Sequence, residues 1–417
     1  MSSMQASETR IVPFIAGDGI GPEIMSATQA VTDQALKTAY NGSRLIRWLE
    51  CPAGEQAYKT LGEWLPLTSL QMLRNHPASI KGPLTTPVGG GMRSLNVTLR
   101  QELDLYVCQR PVRWYPGLPS PLRDPAGLDL VVFRENTEDI YTGIEFQAGS
   151  PEQQSWMENF EKHFPADFAK IAHPQESGIG IKPVSRPNSQ RLVRAAIRWA
   201  LANRRKRLTL VHKGNIMKFT EGAFRNWGYA VADQEFPAET FSAQQFQAIQ
   251  TKQGAQAAQA AKEQALANGR LWVDDVIADV VFEQLITRPQ NFDVLATTNL
   301  NGDYLSDAAA ALAGGVGISP GANINYESGR AVFEANHGSA EGLAGQNKAN
   351  PSSLILSAGM LLDFVGWGEA ADLLRTALAE SVRTGQVTFD LAAQIQGARC
   401  LGTSEFAQAI IHHMSTR

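Results

Sequence analysis

The first 40 residues hold the feature that most constrains the fold: a short apolar run, a glycine-rich turn and a helix. Ile11–Ile15 has the composition of a buried strand, and Ala16–Gly21 places three glycines directly after it. A helix with Pro22 in its first turn is predicted from there to about Tyr40. Strand, glycine turn and helix in this order begin an open α/β sheet, so we expect an α/β protein.

The spacing of these glycines argues against a standard Rossmann site. The turn reads G-x-G-x-G followed by proline, whereas the dinucleotide fingerprint is G-x-G-x-x-G with an acidic residue after a second strand. The turn is then either a tight bend that needs glycine or a backbone wall beside a ligand. The sequence alone leaves both readings open.

Size and charge set the broad class of the protein. With 417 residues, the chain can form two domains or one domain with insertions. The net charge of −4 gives no reason to expect binding to nucleic acid or to a membrane surface. The most apolar later run, Leu354–Val365, is too short to span a bilayer. The start of the chain has no apolar signal-peptide core.

Cysteine usage points to a reducing compartment. Cys51, Cys108 and Cys400 are far apart and form no C-x-x-C pair. They therefore argue against a disulfide framework or a zinc site, and we expect a cytoplasmic protein.

Two aspartates stand at the start of a predicted Ala-rich helix. The stretch Asn299–Asp307 follows an apolar run, Asp293–Ala296, that predicts a buried strand. Asp303 and Asp307 are four residues apart, a spacing that puts both carboxylates on one helix face. They either cap the helix or bind a hard cation such as Mg²⁺ or Mn²⁺.

An anion-binding helix start is predicted near residue 94. After the Gly- and Pro-rich loop Ile80–Gly91, a helix is expected over 92–103, with Ser94, Asn96 and Arg100 near its start. Serine there is most often a cap. Free N–H groups, the positive end of the helix dipole and an arginine also favour an anion.

Further charged residues follow apolar strands. Arg110 follows the strand-like Leu105–Cys108, and Arg134 follows Leu130–Phe133. Open α/β sheets place ligands at strand ends, and arginine pairs bidentately with carboxylate and phosphate. We therefore expect a ligand with several acidic groups. Lys213, after another strand, is either structural or an acid/base group.

Three other segments carry weaker signals. Asp275, Asp279 and Glu283 follow helical spacing and form either a solvated face or a source of a third metal carboxylate. Residues 142–185 read as an arm or added hairpin layer. Residues 240–269 are Gln/Ala-rich and predict a surface helical insertion or a mobile loop without chemistry.

Several longer stretches together point to a known enzyme family. They are Gly17–Pro22, Lys81–Pro87 with Ser94–Asn96, Phe133–Glu138, His212–Lys218, Asn299–Asp307 and Phe333–Gly338. In this order they resemble the β-decarboxylating dehydrogenases, and within that family the homodimeric bacterial isocitrate dehydrogenases. The resemblance covers nearly the whole chain and weakens in 145–175 and 235–270.

The resemblance implies an α/β fold with an open mixed sheet of the isocitrate/isopropylmalate dehydrogenase type. A large domain would combine 1–105 with 314–417, and a small domain 106–138 with 186–313. Residues 139–185 would form a clasp that locks two subunits. The protein would then be a homodimer with shared active sites, in which Lys213 and Asp275 come from the partner subunit.

The resemblance also implies roles for individual residues. The catalytic pair would be Tyr141 and Lys213; the substrate ligands would be Ser94, Asn96, Arg100, Arg110 and Arg134; the metal ligands would be Asp275, Asp303 and Asp307. The cofactor would lie against Thr85, Asn215, Glu334, His337, Gly338, Ser339, Ala340, Glu341, Gly342, Leu343 and Asn350. The implied reaction is the oxidative decarboxylation of isocitrate with Mg²⁺ or Mn²⁺ as the metal.

The cofactor loop departs from the pattern of NADP-dependent relatives. Those enzymes hold the 2′-phosphate with a Lys-Tyr pair and with a later Tyr and Arg. Gly342, Leu343, Phe389 and Ala393 stand at the matching positions here, and none can donate to a phosphate. Glu341 instead suits the hydroxyls of NAD. The sequence therefore favours NAD, with NADP as the alternative.

Three alternatives remain at this stage. The same chemistry could act on homoisocitrate or isopropylmalate. Carboxylates, arginines and glycine loops also suit metal-dependent phosphoryl transfer, although G-x-x-x-x-G-K-[ST] is absent. A non-catalytic relative is the third.

Overall fold

The computed structural model describes residues 8–85 and 94–415. The predicted loop at 86–91 and the first two residues of the helix predicted from 92 lie outside the described residues. The strands are β1 (Glu8–Ile15), β2 (Arg44–Glu50), β3 (Ala78–Lys81), β4 (Val107–Arg113), β5 (Asp129–Glu135), β6 (Glu145–Phe146), β7 (Ile179–Gly180), β8 (Arg207–His212), β9 (Thr240–Ser242), β10 (Leu271–Ile277), β11 (Val294–Thr297), β12 (Pro320–Asn325), β13 (Arg330–Ala335), β14 (Gln386–Thr388) and β15 (Arg399–Leu401).

Helices connect and cover these strands. They are α1 (Gly21–Tyr40), α2 (Glu55–Leu61), α3 (Leu67–Asn75), α4 (Leu95–Glu102), α5 (Pro151–His163), α6 (Pro165–Phe168), α7 (Arg186–Ala202), α8 (Glu221–Glu235), α9 (Ala243–Gln253), α10 (Ala255–Ala267), α11 (Ala278–Thr287), α12 (Asn299–Leu312), α13 (Ser352–Phe364), α14 (Gly368–Arg383), α15 (Phe389–Ala392) and α16 (Thr403–Ser415). Short 3₁₀ helices lie at Pro125–Gly127, Asp139–Thr142, Pro174–Glu176, Pro289–Asn291, Val316–Ile318 and Glu341–Leu343.

The described residues form one sheet of eleven strands, in the order β2–β1–β3–β13–β12–β4–β5–β11–β8–β10–β9. Most neighbouring strands are parallel, but β4 runs antiparallel to both β5 and β12, and β12 runs antiparallel to β13. This confirms the predicted open mixed α/β sheet. The first strand, turn and helix also form as predicted.

Strands from both chain ends lie together on one side of β4. On this side, β1, β2 and β3 come from the beginning of the chain, and β12 and β13 come from its last hundred residues. The strands on the other side come from the middle of the chain. The division into a large and a small domain stays a prediction.

Alternate residues of β5 pack on opposite faces of the sheet. Val131 and Phe133 join the cluster formed with α7 and α8, whereas Leu130 and Val132 join the cluster formed with α11 and α12. Successive strand side chains point to opposite faces, so a strand covered on both sides needs a continuous apolar run. This is why Leu130–Phe133 is apolar throughout.

Two local predictions differ from the structure. Arg110 lies in the middle of β4, because the strand continues beyond Cys108 to Arg113. Asp275 lies on β10, so its helical spacing from Asp279 crosses a strand-to-helix boundary at Ile277.

The Gln/Ala-rich segment is helical, as the first of the two readings predicted, and forms α9 and α10. Within 142–185, β6 and β7 form a separate antiparallel pair with α5 and α6 between them, which fits the predicted hairpin layer. Among the described residues, no helix has the length and apolar character needed to cross a membrane.

Strands β5, β8 and β11 are parallel neighbours, so their carboxyl ends meet at one edge of the sheet. Arg134, His212 and Thr297 lie at or next to these ends. Since open α/β sheets bind ligands at this edge, the topology brings the predicted functional residues toward a common region.

Candidate active site

Asp303 is at the centre of a group of charged side chains on the first turns of α12. One of its carboxylate oxygens pairs with the guanidinium of Arg134 and lies 3.6 Å from Nη1 of Arg110. The other accepts a hydrogen bond of 2.6 Å from the hydroxyl of Tyr141. Burial alone would raise the pKa of Asp303, but the charges of Arg134 and Arg110 and the hydrogen bond from Tyr141 lower it. The carboxylate is therefore ionised at neutral pH.

Asp307 lies one helical turn further along α12. Arg110 donates from Nη1 to its carboxylate at 2.9 Å and to the hydroxyl of Ser306 at 2.7 Å. Burial raises the pKa of Asp307, and the neighbouring Asp303 adds to the effect. The predicted geometry, with both aspartates on one face of a helix, is thus present.

Tyr141 is held by the same group. Its ring lies 4.9 Å from the guanidinium carbon of Arg134, and its hydroxyl donates to Asp303. Burial, together with the hydrogen bond to Asp303, raises the pKa of Tyr141 to about 12, although Arg134 opposes the shift. The phenol therefore keeps its proton at neutral pH.

Arg134 is fixed on three sides. Its side chain is 1% exposed, and its Nε donates to Asn299 at 2.8 Å. Its stem packs against Gly302, where an added Cβ would lie 2.6 Å from the Cβ and Cγ of Arg134. Glycine at 302 lets α12 approach the arginine closely enough for Asp303 to reach it.

Helix α4 presents unused polar groups. Ser94 occupies its N-cap, but its side chain makes no capping hydrogen bond. The simple cap interpretation is therefore not what the structure shows. Asn96 Oδ1 and Arg100 Nε are buried and have no hydrogen-bond partner among the described residues, and the same is true of Arg110 Nε. Buried polar groups are normally paired, so these atoms fit a ligand.

Glu334 holds Arg100 in place. Its buried carboxylate lies 2.7 Å from Nζ of Lys81 and 3.1 Å from Nη2 of Arg100, and it accepts from Asn323 at 2.7 Å. Burial alone would raise the pKa of Glu334, but the charges of Lys81 and Arg100 lower it far below its usual range. Glu334, predicted to bind cofactor, is thus enclosed by these three side chains.

Lys213 and Asp275 form a separate group. Lys213 donates from Nζ to Asp279 at 2.5 Å. Asp275 accepts from Tyr229 and lies 2.9 Å from Nε2 of His212. Although burial opposes it, hydrogen bonds from His212 and Tyr229 lower the pKa of Asp275.

Within the part of the chain that the structure describes, no hydrogen bond or ion pair joins the Lys213 and Asp275 side chains to Asp303, Asp307 or Tyr141. Buried Glu221 lies between the groups, accepting from the Lys213 backbone at 3.0 Å and from the Asn301 side chain at 2.7 Å. One chain therefore carries two incomplete halves of the predicted site.

The glycine turn supports the predicted cofactor loop. The backbone of Ile20 donates to Ser339 O at 2.9 Å. Gly19 has φ of +57°, and an added Cβ would lie 2.1 Å from the same oxygen. Thr85 donates to Ser339 and to Glu341, at 3.0 and 3.1 Å. The turn therefore needs glycine at 19 and packs against this loop, and whether it also lies beside a ligand stays a prediction.

Most of the remaining predicted cofactor residues lie on or near this loop. Glu341, Gly342 and Leu343 form a short 3₁₀ helix, preceded by Ala340 in the left-handed region at φ +42°. Burial lowers the pKa of His337, whose Nδ1 lies 3.0 Å from Gly338 O. Asn350 follows and pairs with Asp390 at 2.9 Å. Asn215, by contrast, is exposed in the segment after β8.

The aspartates of α12 fit a divalent cation, but one chain supplies only part of a site. Asp303 and Asp307 offer hard oxygen donors on one face. In the described parts of the chain, no group of three or more His, Cys, Asp or Glu side chains is arranged to hold a metal. A third protein ligand would have to come from elsewhere, which agrees with Asp275 lying in the separate group.

Sequence reasoning missed the residues that position these groups. Buried Asp139, at φ +71°, accepts from the backbone of Leu300 at 3.1 Å and from Lys182 at 2.6 Å, and so ties Tyr141's segment to α12. Lys81 and Glu221 were also missed as supports. A charged residue inside an apolar run signals a buried partner, but the sequence does not show which one.

Known proteins agree with this geometry. The isocitrate/isopropylmalate dehydrogenase family model matches residues 11–410. The chain is 52% identical over 404 residues to a Staphylococcus aureus protein named isocitrate dehydrogenase [NADP], covering 97% of this chain and 95% of that one. The chain belongs to the isocitrate/isopropylmalate dehydrogenase family.

Two further relatives extend the comparison within the family. An isocitrate dehydrogenase [NADP] of Streptococcus mutans is 48% identical over 411 residues, covering 99% of this chain and 97% of the relative. The crystal structure of isocitrate dehydrogenase from Methylococcus capsulatus superposes with a TM-score of 0.76 at 36% identity, covering 97% and 99% of the two chains. The expected family fold is confirmed.

The relatives contradict the cofactor expected from the sequence. Both bacterial relatives at about half identity are named as NADP enzymes, whereas Gly342, Leu343, Phe389 and Ala393 had favoured NAD. That expectation considered four aligned side chains only. Cations elsewhere near the loop, such as exposed Lys348, were not weighed.

We predict that Glu334→Gln makes stability less dependent on pH. The folded pKa of Glu334 is lowered from 4.5, so its stabilising effect is present above about pH 4.5 and is lost as pH falls below it. The stability difference between wild type and variant should shrink by about 1 kcal/mol from pH 6 to pH 3.5, measured by urea unfolding. Glu405→Gln, on an exposed side chain, is the control. An unchanged difference would contradict this.

Proposed function

We propose that this protein oxidises and decarboxylates isocitrate to 2-oxoglutarate and CO₂, with NADP as hydride acceptor and Mg²⁺ or Mn²⁺ as metal. The observation that carries the proposal is the group around Asp303. There, two buried arginines and a protonated tyrosine surround a metal-type carboxylate. Buried nitrogens of Arg100 and Arg110 beside this group have no partner among the described residues.

The three arginines suit a substrate with three carboxylates. Arg100, Arg110 and Arg134 are each buried, and guanidinium groups recognise carboxylates bidentately. Their present partners Glu334, Asp307 and Asp303 keep them oriented. A tricarboxylate such as isocitrate would engage the donors that remain.

The polar start of α4 favours isocitrate over isopropylmalate. The hydroxyl of Ser94 makes no capping hydrogen bond, and Asn96 has a buried carbonyl oxygen without a partner in the described chain. The apolar substituent of isopropylmalate would leave these buried polar groups unpaired, so the pocket would bind it poorly. The names of the relatives agree with this choice.

Asp303 and Asp307 would hold the metal, with Asp275 of a second copy as the third carboxylate. When bound there, a divalent cation supplies positive charge that stabilises negative charge developing on the substrate's C2 oxygen. The chain's own arginines hold the carboxylates so that C2 faces the nicotinamide. Hydride then passes from C2 to the cofactor, and the hydroxyl proton is released.

Loss of CO₂ from C3 leaves an electron pair shared between C2 and C3, and C3 then takes up a proton. Tyr141 suits this last step, because its pKa of about 12 keeps the phenol protonated until a stronger base forms. Asp303, which accepts from the hydroxyl, orients that proton. Lys213 of a second copy would restore the proton to Tyr141.

Apolar side chains around Lys213 and on α11 and α12 support a homodimer. Ile216 and Phe219 are 69% and 91% exposed, and Ile286 and Tyr304 are also well exposed. Large exposed apolar side chains on these segments are typical of an interaction site. A second copy seated there would cover it and bring Lys213 and Asp275 toward the partner's Asp303 group. The clasp at 139–185 belongs to the same proposal.

NADP is proposed on the names of the relatives. The loop from His337 to Leu343, walled by Thr85 and the glycine turn, is the expected cofactor site. The residues that hold the 2′-phosphate of NADP would then differ from the Lys-Tyr pair and the later Tyr and Arg of the NADP-dependent pattern. The described cysteines are all unpaired, which supports a reducing cytoplasm as the place of action.

Initial rates at 340 nm test the proposal. With purified protein and Mg²⁺, we expect isocitrate to support reduction of NADP⁺ faster than of NAD⁺, and 3-isopropylmalate to give little turnover. Removal of metal with EDTA should abolish the rate and added Mn²⁺ should restore it. No reduction with either cofactor would refute the reaction. Faster turnover with NAD⁺ would refute only the choice of NADP.

Tyr141→Phe tests the proton donor. The variant keeps the ring over Arg134 but removes the hydroxyl, so we expect kcat to fall by about 10²–10⁴ with little change in KM. Tyr58→Phe, on an exposed tyrosine outside this group, is the matched control and should keep wild-type kcat. Full activity in Tyr141→Phe would exclude the assigned role.

A further inference from the structure

A basic cavity lies at the end of the sheet opposite the candidate active site. It has a volume of about 880 Å³ and opens between the start of β8, the start of β10 and helix α10. Parallel strands β8 and β10 carry Arg207 and Trp272 at this end, whereas His212 ends β8 and Asp275 lies in the second half of β10. The chain covers about 17 Å from Arg207 to His212 and about 10 Å from Trp272 to Asp275, so the two groups of side chains are distinct.

The charge of the lining is strongly one-sided. Its single acidic side chain is Asp274, and its cationic side chains are Arg204, Arg205, Lys206, Arg207, Lys262 and Arg270. Arg207 neutralises Asp274 through a pair at 2.5 Å. Arg205 is paired with Asp129 and Asp293, both at 2.9 Å.

Within the described parts of the chain, the other four cations have no carboxylate partner. Arg270 donates there to the carbonyl oxygens of Pro237 and Thr240, which leaves its charge uncompensated. Among the described residues, Arg204, Lys206 and Lys262 have no carboxylate within salt-bridge distance. The cavity therefore attracts an anion, although the chain as a whole is acidic.

One wall of the cavity combines apolar side chains with a cation held over an indole ring. Nζ of Lys262 lies 3.7 Å from the centre of the Trp272 ring. The indole N–H donates to Asp274 at 2.9 Å, so the ring is fixed in its plane. Leu201 and Leu266 add apolar surface. Burial lowers the pKa of Lys262, as expected for an ammonium held against an apolar wall.

We propose that this cavity is a binding site for a purine nucleotide. The base would lie in the apolar part against Leu201 and Leu266, because Lys262 covers a face of the Trp272 ring, and the phosphates would pair with Lys206, Lys262 and Arg204. Apolar side chains bury the faces of a base, and guanidinium and ammonium groups bind phosphate. The volume is in the range of small-molecule sites. A cavity of this volume on a chain of net charge −4 favours a free nucleotide over a nucleic acid.

The site is independent of the proposed reaction, because none of its residues belongs to the Asp303 or Lys213 groups. It has a structural link to them nonetheless. β8 leads from Arg207 to His212 and Lys213, and β10 leads from Trp272 to Asp275. A bound nucleotide would rest on the starts of the two strands that carry this half of the catalytic groups.

ADP titration by calorimetry, with the cofactor site filled by saturating NADPH, tests the proposal. We expect ADP to bind wild type under these conditions, and inorganic pyrophosphate to bind more weakly because it lacks the base. Lys206→Ala/Lys262→Ala should weaken ADP binding by about tenfold or more. Neither lysine belongs to the catalytic or cofactor groups, so reduction of NADP⁺ with isocitrate, measured without ADP, should stay at the wild-type rate.

Lys252→Ala is the matched control, because it removes the same charge from exposed α9 outside the cavity. It should bind ADP as wild type does. The proposal fails if NADPH abolishes ADP binding, or if the double variant binds ADP with wild-type affinity. It also fails if pyrophosphate binds as tightly as ADP, since the ring would then contribute nothing, or if single-stranded DNA displaces ADP in a competition titration.

Discussion

The buried ion pair between Arg134 and Asp303 is the interaction on which the candidate site depends. A guanidinium as buried as Arg134 is costly to remove from water unless it is paired and hydrogen-bonded. Asp303 and Asn299, both on the first turns of α12, supply these partners. The pair therefore fixes the start of α12 against β5, and with it the position of Asp307.

Other features follow from this contact. Gly302 is needed because α12 lies so close to the Arg134 stem that a Cβ would clash. Asp139 accepts from the backbone of Leu300 and holds the segment that carries Tyr141 against the same helix start. The tyrosine hydroxyl consequently meets Asp303 and keeps its proton. The residues proposed for substrate recognition, metal binding and proton donation thus all depend on one helix terminus.

The second group of predicted site residues lies apart from the first. Lys213 and Asp275 lie at the ends of β8 and β10, and their side chains are held by Asp279, His212 and Tyr229. Buried Glu221 accepts hydrogen bonds from the Lys213 backbone and from the Asn301 side chain. Neither group can move toward the other without breaking these hydrogen bonds. A second copy of the chain is the simplest way to bring a lysine and a third carboxylate to Asp303.

The sequence predicted what depends on local pattern. Apolar runs ending in Arg134 and His212 predicted strands of an open α/β sheet, and the structure shows that these strands are parallel and share an edge. Arg110 was misplaced because β4 continues past its apolar run and runs antiparallel. The four-residue spacing from Asp275 to Asp279 indicated a helix. In the structure Asp275 lies on a strand and Asp279 on a helix, because the chain changes from strand to helix after Ile277. Buried pairs such as Lys81 with Glu334 join distant segments, and one sequence does not reveal such partners.

Mixed dimers give the most direct test of a site shared between two chains. Lys213→Met and Asp303→Asn, each inactive alone, would be co-expressed with different tags and the mixed dimer purified. Each mixed dimer would then hold one site with both substitutions and one intact site. The account predicts recovery of about half the wild-type activity per dimer, as two-fold symmetry requires. A mixed dimer with no activity would show that Lys213 and Asp303 of the same chain form the site.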